Sequence, residues 1–277
     1  MDSHKRKIAA AMLEYAPPPR AGEGSRSRDF GDWGISAESK RLYRRSPNAF
    51  LFAAVLSKQI RGPQAYEIPY QLKQRLGHLD ARRIARMSTA ELAEYMGPGK
   101  HGKALHRFYN AMSGQLICDC ELLVAKYRGN AANIWKGERD AGVVIARLRE
   151  FKGVSQKISS MFVRLLVTDY GVSLEGWDQI DIAVDRHVAR VFLRTGLVGG
   201  EKSRSNYSVG ELADEVVRQA RELCPEYPAA LDAPAFNVGY GWCTEREARC
   251  HGDDSHSQGP CPLATACPKR RRHYQIV

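Results

Sequence analysis

Four cysteines near the C-terminus, Cys243, Cys250, Cys261 and Cys267, are spaced C-x6-C-x10-C-x5-C. The N-terminal sequence MDSHKRK lacks the apolar stretch of a secretion signal, and 277 residues exceed the size of a short exported domain held by disulfides. Four neighbouring thiolates can instead hold an iron–sulfur cluster or a zinc ion, whose binding free energy helps the segment to fold. The alternative is cysteines that lie near one another by chance. The spacing and the shortage of apolar residues around it predict a metal site.

The chain is strongly basic. Lys and Arg number 42 against 31 Asp and Glu, which gives a net charge of +11, and the excess is concentrated at Lys40–Arg45, Arg82–Arg83 and Lys269–Arg272. Basic stretches of this kind suit a polyanion such as nucleic acid, although they can also be a solvated surface. No window of the sequence is apolar enough to span a bilayer, so we expect no membrane insertion and a cytoplasmic or nucleoid location.

The periodicity of apolar residues predicts an all-α protein of about ten helices, with almost no strand patterns. Residues Ala16 to Ser36, rich in Pro, Gly, Ser and Arg, predict an irregular arm, and regular structure is expected from about Ser46. Capping-box patterns open helices at Ser88 with Glu91 and at Ser208 with Glu211. The other predicted helices are Phe50 to Ile60, Leu105 to Tyr127, Ala141 to Phe151, Lys157 to Tyr170 and Val184 to Thr195.

The stretch LREFKGVSQKIS, Leu148 to Ser159, ends one helix at Gly153 and begins another a few residues later. N–H groups at the start of the second helix would form an anion site able to hold a DNA phosphate. The other interpretation is an ordinary helix–helix turn.

A second stretch, IAVDRHVARVF, places Asp185 at the head of a helix whose predicted buried face is Val184, Val188, Val191 and Phe192. Asp is a favoured N-cap residue, so from this stretch alone a capping role is the simpler interpretation of Asp185. His187 in the same turn is also interpreted as structural on this basis.

Four segments in order give the chain a wider resemblance. Phe50–Gln59 is similar to the pattern LLxAxLLSxQ, Phe151–Lys157 to LPGVGRKT, Ala183–Val191 to AVDTHVxRV, and Gly241–Cys243 to the entry of a cluster loop. From about Asn48 to Cys267 the chain resembles the helix-hairpin-helix DNA glycosylases, most closely the endonuclease III branch with its C-terminal [4Fe–4S] loop. The resemblance implies a two-lobed all-α fold.

The resemblance also implies roles for individual residues. Lys157 matches the lysine that attacks the sugar C1′ and forms a Schiff base, and Asp185 matches the carboxylate that assists it and stabilises the cationic sugar. Gln59 matches the residue that fills the space left in the duplex when a nucleotide is extruded. Further DNA contacts are implied for Gly153, Ser155, His187, Arg246 and Arg249. Asp178 and Asp181 do not match the catalytic position and are interpreted as loop or capping groups.

Three expectations on organisation follow. Residues 1–45 form an arm that joins the cluster lobe, 46–176 form a six-helix barrel-like domain with the hairpin, and 177–277 form the C-terminal helices and cluster loop. DNA is expected to lie between the two lobes. Cys118, Cys120 and Cys224 fall in helical segments and are interpreted as core or partly exposed thiols.

Two features depart from the family. Ten residues, His251 to Pro260, separate Cys250 from Cys261, where relatives usually have two, and His251 and His256 leave a mixed Cys/His zinc site open beside the [4Fe–4S] cluster. Ser155 replaces the second glycine of the hairpin, at a cost of about 1 kcal/mol if that position needs a positive φ.

The sequence therefore predicts a base-excision DNA glycosylase with an associated AP lyase activity through Lys157 and Asp185. Its predicted partner is double-stranded DNA that contains a damaged or modified base, and we expect a monomer. The alternatives are a monofunctional glycosylase with a water activated by Asp185, and a non-catalytic DNA-binding iron–sulfur protein. The base remains open, because the pocket residues are expected between Arg61 and Tyr109, where the chain diverges.

Overall fold

The computed structural model describes residues 2–18, 34–199, 206–251, 259–268 and 274–276. The described residues confirm the all-α prediction. Short 3-10 helices cover Ala131–Ile134, Trp177–Gln179 and Pro228–Leu231, and the two-residue strands β1 Asn206–Tyr207 and β2 Gln275–Ile276 pair in parallel. The α-helices are α1 Ser3–Tyr15, α2 Ala37–Arg45, α3 Pro47–Val55, α4 Gly62–Leu76, α5 Ala81–Ile84, α6 Thr89–Met96, α7 Tyr109–Tyr127, α8 Ala141–Leu148, α9 Gln156–Thr168, α10 Arg186–Thr195, α11 Val209–Leu223 and α12 Asp232–Gly241.

The chain divides into two compact units. The first, called the cysteine-loop unit, consists of Met1–Ala21 and Gly176–Val277, and the second, called the hairpin unit, is Gly22–Glu175. The sequence assigned all of residues 1–45 to the lobe of the cysteine loop. In the structure α2 belongs to the hairpin unit, where the Ser36 and Ser39 hydroxyls donate to the Glu67 carboxylate of α4 at 3.1 and 2.8 Å.

The expectation that regular structure begins near Ser46 is wrong for two segments. Asp2 and Ser36 cap α1 and α2 by accepting hydrogen bonds from the first-turn N–H groups of His4 and Ser39. Each helix buries a few apolar side chains, such as Ile8 and Met12 in α1, which have no exposed surface, whereas Tyr15 at the end of α1 is 37% exposed. Most of the predicted irregular arm, residues 19–33, lies outside the described residues.

The hairpin unit is built around α3, whose residues Ala49 to Val55 are all buried. The Phe50 ring stacks near Phe162 of α9 and Tyr170, at centroid distances of 4.5 and 5.2 Å. The prediction that this helix reaches Ile60 is wrong, because α3 ends at Val55 and the Ser57 hydroxyl donates to the Ala54 carbonyl at 2.7 Å. Residues 57–60 therefore form a turn after α3 and do not continue the helix.

The cysteine-loop unit is built around α10. Its predicted buried face is confirmed, since Val188, Val191 and Phe192 have no exposed surface and Val184 is 4% exposed. Helix α1 packs on the same core, and the His4 ring lies 2.9 Å from the Thr195 carbonyl oxygen. Both predicted capping boxes are present, at the starts of α6 and α11. Within the described ranges, the structure has no helix with the length and apolar character required of a membrane span.

Candidate active site

The predicted hairpin is formed by α8, a tight turn and α9. Gly153 has a φ of +81°, and the Val154 N–H donates to the Phe151 carbonyl at 3.1 Å. Ser155 has a φ of −79° and accepts a hydrogen bond from the Ile158 N–H, so it is the N-cap of α9. The substitution of the second hairpin glycine by serine therefore causes no backbone strain.

Two polar residues of α7, which the sequence did not indicate, support the turn from within the hairpin unit. Asp119 Oδ1 accepts a hydrogen bond from the Lys152 N–H at 2.6 Å. Gln115 donates from Nε2 to the Val55 carbonyl at 3.0 Å, and its Oε1 lies 2.7 Å from the position of an ideal Cβ on Gly153. Gln115 and Asp119 are four residues apart on a helix face that is otherwise apolar, which is the pattern that could have revealed them.

Replacing Gly153 with alanine is expected to destabilise the hairpin unit for two reasons, the positive φ and the contact with Gln115. Gly137→Ala is the matched control, since Gly137 has a φ of +76° but no atom within 4 Å of its ideal Cβ. Urea unfolding should show that Gly153→Ala lowers the free energy of unfolding by about 1–2 kcal/mol more than Gly137→Ala does. Equal losses would show that the Gln115 contact does not constrain the turn.

Burial raises the pKa of the Asp119 carboxyl to about 7, while the hydrogen bond from the Lys152 N–H opposes the shift. The side chain is 2% exposed, and Oδ2 has no hydrogen-bond partner among the described residues. Because this pKa is above that of the unfolded chain, the protonated carboxyl contributes stability below about pH 4. That contribution is lost as the pH rises towards 7.

An Asp119→Asn variant removes this titration and keeps an oxygen that can accept from Lys152. The stability of the variant relative to the wild type should increase between pH 4 and 7, by at most about 1.4 kcal/mol per pH unit, and remain constant above pH 7. Urea unfolding at several pH values measures the difference. Glu121→Gln, at an exposed position of α7, is the control. A pH-independent difference for Asp119→Asn would contradict the buried, protonated carboxyl.

Lys157 lies in the first turn of α9, two residues after the N-cap, and its side chain is half-buried. No carboxylate among the described residues forms an ion pair with it. The N–H groups of this first helical turn have no partners within the helix. The turn therefore provides both an unengaged amine and an anion-binding helix start.

Asp185 is the N-cap of α10. Its Oδ1 accepts hydrogen bonds from the N–H groups of His187 and Val188 at 2.8 and 2.9 Å. Within the described part of the chain, Oδ2 has no hydrogen bond. The capping role is therefore real, and it uses one carboxylate oxygen and leaves the second for another partner.

Two buried arginines connect α10 with the cysteine loop of the same unit. Arg190 donates from Nε to the Cys243 carbonyl at 2.6 Å, and Arg194 donates to the Thr244 carbonyl at 2.7 Å and contacts Cys243 Sγ at 3.6 Å. They are 2% and 3% exposed, four residues apart, and so lie on one face of the helix. The sequence did not indicate them. The helix that begins at Asp185 and the entry to the cysteine loop are thus one hydrogen-bonded structure.

The four cysteines of the loop lie close together and half-buried. Burial raises the pKa of the Cys261 thiol to about 11, and the neighbouring thiols of Cys243, Cys250 and Cys267 add to the rise. Cys243, Cys261 and Cys267 pack against the apolar core, and the Cys261 N–H donates to the Cys250 carbonyl at 3.1 Å. The described residues contain no group of three or more His, Cys, Asp or Glu side chains arranged to hold a metal ion. Thiolates are the usual ligands of iron–sulfur clusters, and one of these four sulfurs, Cys243 Sγ, lies 3.6 Å from an N–H donor of Arg194.

The arginines predicted to contact DNA from this loop differ in their surroundings. Arg246 is exposed, whereas Arg249 donates from Nε to the Glu247 carboxylate at 2.6 Å. His251 is exposed, and His256 and Lys269–Arg272 lie outside the described residues. His187 is half-buried and accepts a hydrogen bond on Nδ1 from Arg190 Nη2 at 3.0 Å.

Gln59 lies in the turn after α3 rather than at the end of the helix. Its φ is +56°, its side chain is exposed, and Oε1 accepts from Arg107 Nη2 at 2.9 Å. Lys58, the residue before Gln59, is held by the ring of the fully buried His106, whose Nε2 lies 3.0 Å from the Lys58 carbonyl oxygen. The sequence missed His106 and Arg107, which hold the Gln59 turn from a segment almost fifty residues away.

The other acids and thiols that the sequence singled out differ in their contacts and exposure. Asp181, interpreted from the sequence as a loop or capping group, instead forms a bidentate ion pair with Arg221 at 2.7 and 2.9 Å. Asp178 is exposed in the short helix Trp177–Gln179. Cys120 is buried, Cys224 half-buried and Cys118 exposed.

Comparison with known proteins identifies the family. Residues 52–217 match the HhH-GPD superfamily base excision DNA repair protein family. No curated protein is significantly similar in sequence. The chain therefore belongs to the HhH-GPD superfamily. Within that superfamily it is a base-excision DNA glycosylase.

Solved structures with the same fold include two complexes of endonuclease III. A trapped endonuclease III–DNA covalent intermediate has 19% identity and a TM-score of 0.58, and a non-covalent endonuclease III–DNA complex has 20% identity and a TM-score of 0.60. In both cases the match covers 97% of each chain. A thermostable thymine-DNA glycosylase has 15% identity over 96% of each chain, with a TM-score of 0.56. At these identities the similarity establishes the fold.

Proposed function

We propose that this protein is a bifunctional DNA glycosylase, which releases a damaged or modified base from double-stranded DNA and then cleaves the strand at the abasic sugar. In this proposal the Lys157 amine is the nucleophile and the Asp185 carboxylate stabilises the positive charge that develops on the sugar. The chain acts as a monomer where DNA is located, in the cytoplasm at the nucleoid.

One observation carries the proposal. Asp185 accepts both of its backbone hydrogen bonds through Oδ1, and Oδ2 has no bond among the described residues. A carboxylate fixed by its helix and with an oxygen to spare is preorganised for an ionic transition state, because it needs no rearrangement to meet the developing charge.

The proposed reaction uses two groups in sequence. As the glycosidic bond breaks, its electron pair leaves with the base, and Asp185 stabilises the oxocarbenium-like sugar. The unprotonated Lys157 amine bonds to C1′, and ring opening gives a Schiff base that makes the adjacent C2′ proton acidic. Loss of that proton eliminates the 3′ phosphate and so cleaves the strand.

The DNA contacts proposed for the hairpin and the Gln59 turn differ in kind. The start of α9 offers N–H groups and the positive end of the helix dipole to a phosphate, and this contact reads no base sequence. Gln59 is an exposed side chain on a turn supported by Arg107 and His106. It is proposed to enter the space that the extruded nucleotide leaves, which offsets part of the cost of unstacking.

We further propose that Cys243, Cys250, Cys261 and Cys267 hold a [4Fe–4S] cluster, with zinc as the alternative metal. When bound, the cluster supplies folding free energy to the loop and takes no part in the chemistry. Arg194 supports this assignment because its Nη1 donates to Cys243 Sγ at 3.6 Å. A hydrogen bond from a positively charged donor would stabilise the negative charge of a thiolate ligand.

Purified protein is expected to be brown and to contain about four iron atoms per chain, as four thiolate ligands imply. Cys267→Ala should lose the iron and lower the melting temperature of the protein. Cys118→Ser is the control, since Cys118 is exposed on α7, and it should keep its iron. Stoichiometric zinc without iron, or retention of iron in Cys267→Ala, would contradict the cluster assignment.

The activity itself is tested by base release. Wild-type protein is incubated under single-turnover conditions with duplexes that each contain one modified base, and free base is measured by mass spectrometry. Release of one or more bases is expected. Tight binding to duplex DNA with no release from any member of a broad panel would favour a non-catalytic DNA-binding protein.

A further inference from the structure

A cavity of about 460 Å³ lies between α2 and α4 of the hairpin unit. This volume is in the range of sites that bind small molecules. Leu42 and Leu79, each 8% exposed, are its buried apolar lining. We call it the α2–α4 cavity.

The two helix faces that line this cavity carry polar side chains. Glu38, Arg41 and Arg45 are spaced three and four residues apart and therefore share one face of α2. Tyr70 and Lys73, three residues apart, share one face of α4. The face that a helix turns towards its neighbour is usually apolar. Here long polar side chains occupy both faces around an open space.

The two helices are joined beside the cavity. The Ser39 hydroxyl of α2 donates to the Glu67 carboxylate of α4 at 2.8 Å, and the buried Tyr43 hydroxyl of α2 donates to the Tyr66 carbonyl of α4. These bonds fix the distance between the helices without using the polar side chains that line the cavity. The cavity is therefore preformed, and a ligand would not need to open it.

The cavity has an excess of positive charge. Arg41 pairs with Glu38 at 2.6 Å, whereas neither Arg45 nor Lys73 forms an ion pair with any carboxylate of the described residues. Three cations against one carboxylate leave a net charge of +2 among the lining side chains. Cations of one sign around a concave surface raise the local concentration of anions. The lining therefore suits a ligand with at least two negative charges.

The α2–α4 cavity lies at the end of α3 and α4 that is remote from the Gln59 turn. Ser46, which lines the cavity, directly precedes α3, and the Gln59 turn follows it. The nine residues of α3 separate the two by about 13 Å. Helix α4 begins at Gly62, after the turn, and Lys73 lies in its last turn. DNA held at the Gln59 turn would therefore leave the cavity open.

We propose that the α2–α4 cavity binds a nucleoside di- or triphosphate. Arginine and lysine are the side chains that hold phosphate groups, and Arg45 and Lys73 have no competing carboxylate. The half-buried Tyr70 and the apolar Leu42 and Leu79 offer a surface on which a base can pack. This site goes beyond the proposed function, since none of its residues takes part in the reaction at the sugar.

The test is calorimetric titration of the whole protein with ADP in magnesium-free buffer. It is carried out on the free protein and on protein saturated with a duplex that contains a baseless tetrahydrofuran nucleotide, which occupies the DNA-binding surface. ADP is expected to bind with similar affinity in both cases. Pyrophosphate should bind about 10-fold more weakly, because it loses the packing of the base, and adenosine should not bind measurably.

Arg45→Gln combined with Lys73→Gln should weaken ADP binding at least about 10-fold, the effect of losing charged hydrogen bonds to phosphate. Arg86→Gln combined with Lys136→Gln is the matched control, because it removes the same charge from two exposed positions outside the cavity. The control should bind ADP as the wild type does. Both double variants should keep the wild-type melting temperature, since all four side chains are exposed.

Three results would overturn the nucleotide site. They are the absence of ADP binding to the wild type, equal ADP affinity in the two double variants, and loss of ADP binding when the duplex is present. The last would place ADP on the DNA-binding surface. Pyrophosphate that binds as tightly as ADP would overturn the assignment to a nucleoside. None of these results bears on base release, so the glycosylase proposal is tested separately.

Discussion

Replacing Asp185 with asparagine is expected to slow base release by about 100- to 1,000-fold, the loss usually seen when one group that stabilises a transition state is removed. An asparagine oxygen can still accept from the His187 and Val188 N–H groups, so the start of α10 should be preserved. The substitution then removes only the negative charge. Single-turnover release of free base, measured alongside thermal unfolding, separates the loss of rate from any loss of stability.

Asp178→Asn is the matched control for this prediction. Asp178 is an exposed acid seven positions earlier in the chain, and its replacement should leave the rate unchanged. An Asp185→Asn protein that retains both its fold and its rate would show that the carboxylate is only a helix cap.

Replacing Lys157 with glutamine is expected to lower cleavage of a preformed abasic strand by more than about 1,000-fold, as for removal of a nucleophile in other enzymes. Lys157→Arg should lose the activity to the same extent, because arginine keeps the charge but has no unprotonated amine. DNA affinity should be retained by Lys157→Arg and reduced by Lys157→Gln. Gel analysis of strand cleavage, together with binding to a baseless duplex, measures both effects.

Lys152→Gln serves as the control, since Lys152 is exposed in the same turn and only its backbone N–H contacts Asp119. It should cleave at the wild-type rate. If Lys157→Gln cleaves strands normally, the nucleophile must be another amine of the protein; base release without strand cleavage would instead favour a water activated by Asp185.

Local sequence patterns were sufficient for several of the helices and for the starts of α6 and α11. The capping boxes at Ser88 and Ser208 are present in the structure because the side-chain and backbone partners lie within three residues of each other. The buried face of α10 follows from apolar spacing in the same way. The order of the motifs then indicated the family to which the chain belongs.

Interactions between distant segments could not be predicted. Gln115 and Asp119 support a turn more than thirty residues away, and Arg107 reaches Gln59 across 48 positions. Nothing in a single sequence distinguishes these polar side chains from solvated ones until the fold brings their partners to them. Helices α1 and α2 were missed for a related reason, because packing on their units stabilises them and not a clear apolar period in their own sequence.

The end of α3 shows how a motif can be identified while its geometry is misjudged. The segment up to Gln59 matches a helical family pattern, but Gln59 has a φ of +56° and lies in a turn. Its position depends on contacts with His106 and Arg107, which override the local helical preference of the segment.

Borohydride trapping tests most directly whether Lys157 and Asp185 serve the same nucleotide. It is carried out on two duplexes, one with an excisable modified base and one with a preformed abasic site, and is followed by peptide mapping of the adduct. The wild type should be trapped on both duplexes, through Lys157. Asp185→Asn should be trapped mainly on the preformed abasic site, and Lys157→Gln on neither. Base release without any adduct, or an adduct on a different residue, would contradict the proposal that Lys157 and Asp185 serve the same nucleotide.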